Sequence, residues 1–247
     1  MKNISAIVIT KNEERNIEQC LKSISWADEI IVVDSESEDK TVELVKKFTD
    51  KVFIKKWEGY VPQKKYALNL VSYEWVFNID ADERISSELK EEIINKEPDS
   101  LDGFFIRRKN YFFGKEITTC GWNKDFQLRL FKRTKTELLE RSVDEGFKVN
   151  GKIGILKNVI VHNTFSSFHN YLKKVNEYTT LRAEEVYKSK NKVTAFTIIS
   201  HAVSAFLRYY ISLKGFKDGM HGLIISFVYS VSNMLTYVKI WEKQGRF

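Results

Sequence analysis

The chain has no glycine before Gly59. Dinucleotide fingerprints and P-loops need glycines so that the backbone can turn tightly and approach phosphate, which excludes both from the first units. Cysteine is nearly absent as well. Cys20 and Cys120 are the only two, and neither sits in a CxxC or Cys/His spacing. That excludes a disulfide framework and a structural zinc site, and it suits a reducing cytoplasm. Two prolines, Pro62 and Pro98, leave no room for a Pro-rich linker. The opening apolar run is too short for a signal peptide, and Glu13 and Glu14 stand where a cleavage site would be needed. Export is not expected.

Charge is present but unevenly placed. The net charge is +7, with 40 Lys and Arg against 33 Asp and Glu. Residues 164–247 carry twelve of those cations and five of the acids, so the first 163 residues are neutral. A basic tail points to an anionic partner such as nucleic acid or acidic lipid, or to a solvated basic face. Nucleic-acid binding would call for aromatic and basic residues interleaved in a defined module. None is found, so no nucleic-acid partner is expected.

The first half alternates between two periods. ISAIVIT, EIIVVD, KVFIKKW and WVFNIDAD read as strands. NIEQCLKSI, TVELVKKF, QKKYALNLV and ISSELKEEII read as helices, the last with serine caps. Strand–helix alternation with short connections argues for an α/β fold with right-handed crossovers and a mainly parallel, Rossmann-like sheet. Ligands of such sheets sit beyond the carboxyl ends of the strands. Thr10, Asp34 and Asp80–Asp82 all fall at such ends and should share one crevice. From Gly103 the texture changes to shorter strands, GFFIRRKNYFFG, FQLRLFKR, SVDEGFKV and IGILKNVIVHN, expected as a mixed or antiparallel extension. Three helical stretches follow. The expected organisation is a catalytic domain over 1–163 and a helical tail over 164–247.

A sheet that binds nucleotide without a glycine-rich loop needs another hold on the phosphates, and a divalent cation is the common answer. Asp80 and Asp82 lie two apart at a strand end, where alternate side chains share a side. Magnesium is typically held by one or two carboxylates together with substrate phosphates. Glu83 beside them reads as an aid to this site or as a first-turn helix residue, and the latter is favoured since acids favour helix N-termini.

AIVITKNEERNIEQCLKSI, DEIIVVDSESEDKTVELVKKF, WEGYVPQKKYAL and WVFNIDADER together resemble the inverting glycosyltransferases of family two, with their A-type nucleotide-sugar fold. GKEITTCGWNKDFQLRLFKR, RSVDEGFKVNGKIGILKNVIVHNTF, YLKKVNEYTTLRA and GFKDGMHGL resemble the branch that builds lipopolysaccharide core and related surface glycans. The resemblance spans nearly the whole chain with the order of motifs kept. It implies a nucleotide-sugar donor carrying a UDP-linked hexose, a lipid-linked or surface-glycan acceptor, and Mg2+ or Mn2+. Thr10, Asn12 and Glu13 would line the nucleoside pocket, and Asp34 would bind base or ribose. Lys64 stands where the family often has an arginine near the nucleotide. Asp80 would contact ribose or metal, and Asp82 would bind the metal. Arg129 would meet the diphosphate or an acceptor phosphate. Trp122 reads as an acceptor-stacking platform or a core tryptophan. His162 reads as a metal or diphosphate ligand or a satisfied structural histidine.

Inverting transfer needs a carboxylate that takes the acceptor hydroxyl's proton. The branch usually reads Val-His-Glu where this chain reads Val143-Asp144-Glu145. Alignment favours Glu145 as base, while Asp144 competes for the role. Loss of the base would instead leave a non-catalytic sugar-nucleotide or lipid-binding module.

The tail carries two apolar stretches with polar stripes. Thr197, Ser200, His201, Ser204, Arg208 and Ser212 recur opposite Phe196, Ile199, Val203, Phe206 and Tyr210. Ser226, Ser230, Asn233 and Thr236 mark the second stretch. A spanning helix needs ~20 predominantly apolar residues, which neither stretch supplies cleanly. Docking on an anionic membrane surface at the inner face of the cell membrane is therefore expected, with packing on the catalytic domain or a homodimer contact as the alternative.

Overall fold

A computed structural model describes residues 1, 3–97, 100–139, 146–165, 167–187 and 192–245, with the side chains of 164 and 165 left out. In chain order the elements begin β1 (Ile4–Thr10), α1 (Ile17–Ser23), β2 (Glu29–Asp34), α2 (Thr41–Val45), β3 (Val52–Ile54), α3 (Tyr60–Leu70) and β4 (Trp75–Asp80). They continue with β5 (Glu83–Ile85), α4 (Ser87–Ile94), β6 (Gly103–Phe112), β7 (Lys115–Glu116), β8 (Phe126–Lys132), β9 (Thr136–Leu138), β10 (Phe147–Val149) and β11 (Ile153–Phe165). Helices α5 (Phe168–Tyr187), α6 (Ala195–Leu207) and α7 (Met220–Lys243) complete the chain.

The main sheet has the strand order β3-β2-β1-β4-β8-β6-β11-β5. Its first four strands are parallel, as the crossover helices between them require. Beyond β4 the sense reverses. β8 runs antiparallel to β4, β6 antiparallel to β8, and β5 antiparallel to β11. The mixed extension expected from Gly103 onward is thus part of the same sheet. Strands β1, β2 and β4 are buried almost throughout because both of their faces are covered. Ala6, Val8, Phe77 and Ile79 face one core with Ile17, Leu21, Leu89 and Ile93. Ile7, Ile31, Val33 and Val76 face the other core with Ala67. The parallel register aligns Thr10 with Asp34 and Ile9 with Asp80. Three strand ends therefore finish level with one another.

At the opposite end of these strands Glu29 ties the sheet together. Its carboxylate accepts from Ser72 N at 2.8 Å and Ser72 Oγ at 2.7 Å, and also from Ser5 Oγ and the Lys51 ammonium. Ser86 caps α4, its hydroxyl accepting from Leu89 N at 3.2 Å.

Two compact units divide the chain. One holds Met1–Lys109 together with β8 to β10 and β11 as far as His162, and the other holds Asn110–Lys124 and the chain from Asn163 onward. The second unit has its own core of Phe112, Ile117, Cys120, Tyr171, Val175, Ile225 and Val228. Asp218 pins its loop, accepting from Thr118 N and Thr119 N at 3.0 Å each and from Thr119 Oγ1 at 2.6 Å. A Cβ on Gly222 would collide with the Gly215 carbonyl, so only glycine permits that approach. Among the described residues α7 alone is long and apolar enough to cross a membrane by length and composition, with a mean hydropathy of 1.4 over its best window.

Candidate functional site

The loops that follow β1 and β2 are laced to each other. Asn12, in the left-handed region at φ 54°, donates its N–H to Ser37 Oγ at 2.8 Å and accepts from Glu38 N at 2.8 Å. Glu13 N donates to Thr41 Oγ1 at 2.8 Å, while its carboxylate accepts from Asn16 Nδ2 at 2.7 Å and its carbonyl from Ile17 N. Two of the three residues expected to line a nucleoside pocket, Asn12 and Glu13, are thus also the clasp between these loops. Asp34 is fully buried at the end of β2 and accepts from Ser37 N at 2.8 Å and Ser37 Oγ at 2.5 Å.

Two buried oxygens near these strand ends make no hydrogen bond, Thr10 Oγ1 and Gln63 Oε1. The Gln63 amide nitrogen is fixed by Lys55 O at 3.0 Å, Lys56 O at 2.9 Å and Ser35 Oγ at 3.3 Å, which sets the oxygen's side. Unpaired buried acceptors are costly. Their place at the level ends of a parallel sheet is where a ligand would satisfy them. Lys64 is buried beside Gln63, its ammonium 5.8 Å from the Tyr60 ring centre and 5.7 Å from that of Phe147.

Asp80 and Asp82 take different partners. The strand ends at Asp80, and the turn through Ala81 carries Asp82 away from it. Asp80 Oδ2 meets Arg129 NH2 at 2.6 Å, and that same nitrogen donates to Glu83 Oε1. Asp82 Oδ2 lies 3.3 Å from His162 Nε2. The antiparallel pairing of β5 with β11 sets His162 opposite Glu83 and so brings the imidazole to this end of the sheet.

Glu83 departs from its sequence reading. It is a strand residue on β5, wholly buried, and not the first turn of a helix. Its Oε2 accepts from Asp80 N at 3.0 Å, and Arg108 approaches Oε1 at 3.3 Å. Arg108 in turn donates to Asp125 Oδ2 at 2.7 Å. The result is a line of alternating charge, Asp80–Arg129–Glu83–Arg108–Asp125. Burial alone would raise the Asp80 carboxyl, but Arg129, with Lys64 and Arg108 behind it, holds it well below the usual carboxylate range. Burial pushes Glu83 upward, and the nearby Asp80 adds to that push against the pull of Arg129. Burial disfavours the Arg129 charge, yet Asp80 and Glu83 keep the guanidinium protonated well above its ordinary value. Arg129 Nε is buried without a hydrogen-bond partner. Cys20 lies beneath, its thiol donating to Asp80 O at 3.5 Å and pushed up by burial, so it stays protonated.

Among the described residues, no three His, Cys, Asp or Glu side chains form a metal cage. The donors that stand together are Asp82 and His162, while Asp80, also expected at the metal, is turned to Arg129. One carboxylate and one imidazole suit Mn2+, or Mg2+ held chiefly by the carboxylate, with substrate phosphate oxygens and water filling the remaining positions.

Trp122 belongs to the second unit. Its indole N–H donates to Tyr229 OH at 3.2 Å, and its ring stands edge-on to Phe112 at 6.0 Å. Asp144 and Glu145 lie outside the described residues. Gln63, Arg108 and Asp125 escaped the sequence reading, which sets Glu83 beside the site but favours it as a helix residue. For Glu83 the usable signal was its spacing of three from Asp80. The others look like ordinary polar residues of a helix or strand until the strands pair.

The family model described as Glycosyl transferase family 2 matches residues 5–161. The chain is 30% identical to the lipopolysaccharide core biosynthesis glycosyltransferase LpsC of Rhizobium meliloti, covering 98% of this chain and 93% of that one. It is 31% identical to an uncharacterized glycosyltransferase of Rickettsia typhi, covering 98% and 88% respectively. Among solved structures it is similar to S. aureus TarS 1-349 in complex with UDP-GlcNAc, with a TM-score of 0.54 at 17% identity, over 100% of this chain and 93% of that chain.

Proposed function

The chain belongs to glycosyltransferase family two, and on that premise we propose that it is an inverting hexosyltransferase using a UDP-linked donor and a lipid-linked or lipopolysaccharide-type surface-glycan acceptor. The observation that carries the proposal is the cluster at the level strand ends, with Asp34, Asp80, the Asp82–His162 pair and the unpartnered Thr10 and Gln63 oxygens. Asp34, Thr10 and the clasp of Asn12 and Glu13 would hold the nucleoside. Asp82 and His162 would hold Mg2+ or Mn2+, which neutralises charge on the diphosphate when bound. Lys64 supplies a fixed positive charge on the same side of the sheet, and Arg129 keeps Asp80 ionised and oriented toward ribose. Glu145 takes the proton from the acceptor hydroxyl as that oxygen attacks the anomeric carbon opposite the departing nucleotide. Residues 1–163 form the catalytic part in this reading. The helices of 164–247 bring it to the anionic inner face of the membrane, where a lipid-linked acceptor is held, and allow a homodimer contact.

A thermal-shift panel of nucleotide diphosphates and nucleotide sugars with Mn2+ or Mg2+ tests the donor half. A bound donor raises the midpoint in step with ln(1 + [L]/Kd). The proposal fails if no nucleotide sugar moves the midpoint in the presence of either cation.

A further inference from the structure

Helix α6 exposes the side that a soluble helix would bury. Phe196, Ile199, Val203 and Leu207 recur at helical spacing and are 80%, 62%, 52% and 46% exposed. The small and polar side of the helix meets α7 instead. Ser230 Oγ donates to Ala202 O at 2.7 Å, His201 stacks on Tyr237 at 4.0 Å between ring centres, and Ala205 is buried. A contiguous apolar stripe of this kind on a helix that already has its partner marks an interaction surface.

The charge around the stripe says what it meets. Between Glu185 and Asp218 the sequence has no acidic residue and six cations, Lys188, Lys190, Lys192, Arg208, Lys214 and Lys217. Lys192 at one end of α6 and Arg208, Lys214 and Lys217 at the other are exposed. Asp218, the first acid beyond, is buried against Thr118 and Thr119. An apolar stripe with cations at both ends and no acid within its own segment complements a surface that is greasy inside and anionic at its rim.

We propose that α6 is the insertion element of this enzyme. It lies in the interface of an anionic bilayer, with Phe196, Ile199, Val203 and Leu207 among the acyl chains and its terminal cations on headgroup phosphates. This deepens the membrane-surface reading above and rests on it. Together with the π-helical turn Arg208–Ser212 that continues it, the helix is at most about 27 Å long, short of a hydrocarbon core of ~30 Å and carrying Arg208, so it lies flat and does not span. Helix α7 is long enough to span but is held within its unit. Lys239 Nζ donates to Asn176 O at 2.7 Å, Thr180 Oγ1 at 2.7 Å and Thr179 Oγ1 at 2.9 Å, and Ser226 and Thr236 are buried. α7 also exposes Met220, Leu223, Phe227, Met234 and Val238, but it shares the cations Lys214 and Lys217 only at its start, and its last turn carries Glu242 beside Lys243.

The test uses the full chain and co-sedimentation with vesicles of phosphatidylglycerol and phosphatidylcholine, with phosphatidylcholine alone as reference. The wild type should sediment with the anionic vesicles and be released by salt, since each Lys or Arg near the surface contributes roughly fivefold to partitioning. Ile199→Glu with Val203→Glu should weaken partitioning at least roughly tenfold, while Phe227→Glu changes it only slightly. The donor-dependent thermal shift of both variants should match the wild type, confirming that they fold. If the wild type ignores anionic vesicles, the membrane reading falls and α6 insertion with it. If the wild type binds and the α6 variant binds equally, α6 insertion falls and the membrane reading stands. A wild-type dimer that the α6 variant converts to monomer with vesicle binding unchanged would assign the stripe to a second copy of this chain and overturn insertion.

Discussion

Replacing Glu29 with glutamine should cost about 3 kcal/mol near pH 7 and about half of that or less near pH 3. The Glu29 side chain is 3% exposed, and its carboxyl is drawn down from the ordinary 4.5 to about 2. Burial alone would push it up, but Lys51, the Ser5 hydroxyl and both Ser72 donors outweigh that. A gap from 4.5 to about 2 corresponds to ~3.4 kcal/mol at ~1.4 kcal/mol per factor of ten. Because the folded value is the lower one, this stability is fully present above about 4.5 and is lost as pH falls through about 2. Around pH 3 roughly 1.4 kcal/mol of it remains. Lys51 is half exposed, so its share should be screened by salt, while the two serines should hold theirs. Urea unfolding of wild type and Glu29→Gln, followed by tryptophan fluorescence at both pH values, measures the gap directly. A loss below ~1 kcal/mol near pH 7, or an equal loss at both pH values, would refute the reasoning.

Arg129→Met leaves Asp80 and the buried Glu83 without their shared cation and should lower stability by about 3–5 kcal/mol in denaturant titration. Adding Glu83→Gln should restore part of that loss, whereas an additive double variant would break the coupling. Asp82→Asn should abolish metal-dependent donor turnover and the Mn2+-dependent part of the donor thermal shift while the fold survives; full turnover at low Mg2+ would remove the metal assignment. Glu145→Gln should slow transfer by at least ~10²-fold with donor binding nearly unchanged. A dead Asp144→Asn beside an active Glu145→Gln would exchange their roles.

The parallel half of the sheet was legible because period and burial coincide there. ISAIVIT and EIIVVD are continuous apolar runs, and they form β1 and β2 with matching bounds. Ser86 was readable as a cap because its chemistry is local. Local pattern says less where a residue's fate depends on a distant strand. Glu83 follows a strand and precedes a helix, so the sequence favours a helical first turn. The three-residue pairing with β11, distant in the chain, makes it a strand residue instead. Arg108 and Asp125 become site neighbours only when β6 meets β8. In α6 the periodicity revealed both faces, but only the packing of Ala202 and His201 against α7 tells which face is turned outward.

The charge line from Asp80 to Asp125 also constrains how this sequence can change over generations. Its five members come from β4, β8, β5 and β6 and the turn before β8, and each inner member is held by neighbours of opposite sign. Losing Arg129 takes from Asp80 its cation, and losing Arg108 takes from Asp125 its arginine, so the two arginines are the members whose loss is selected against most quickly. Drift here should therefore proceed by paired exchanges. A descendant that has lost the arginine at 129 should also have changed one of the two acids it holds, at 80 or 83, and one keeping both acids is expected to keep the arginine. The line behaves as one heritable character written at five separate places in the chain.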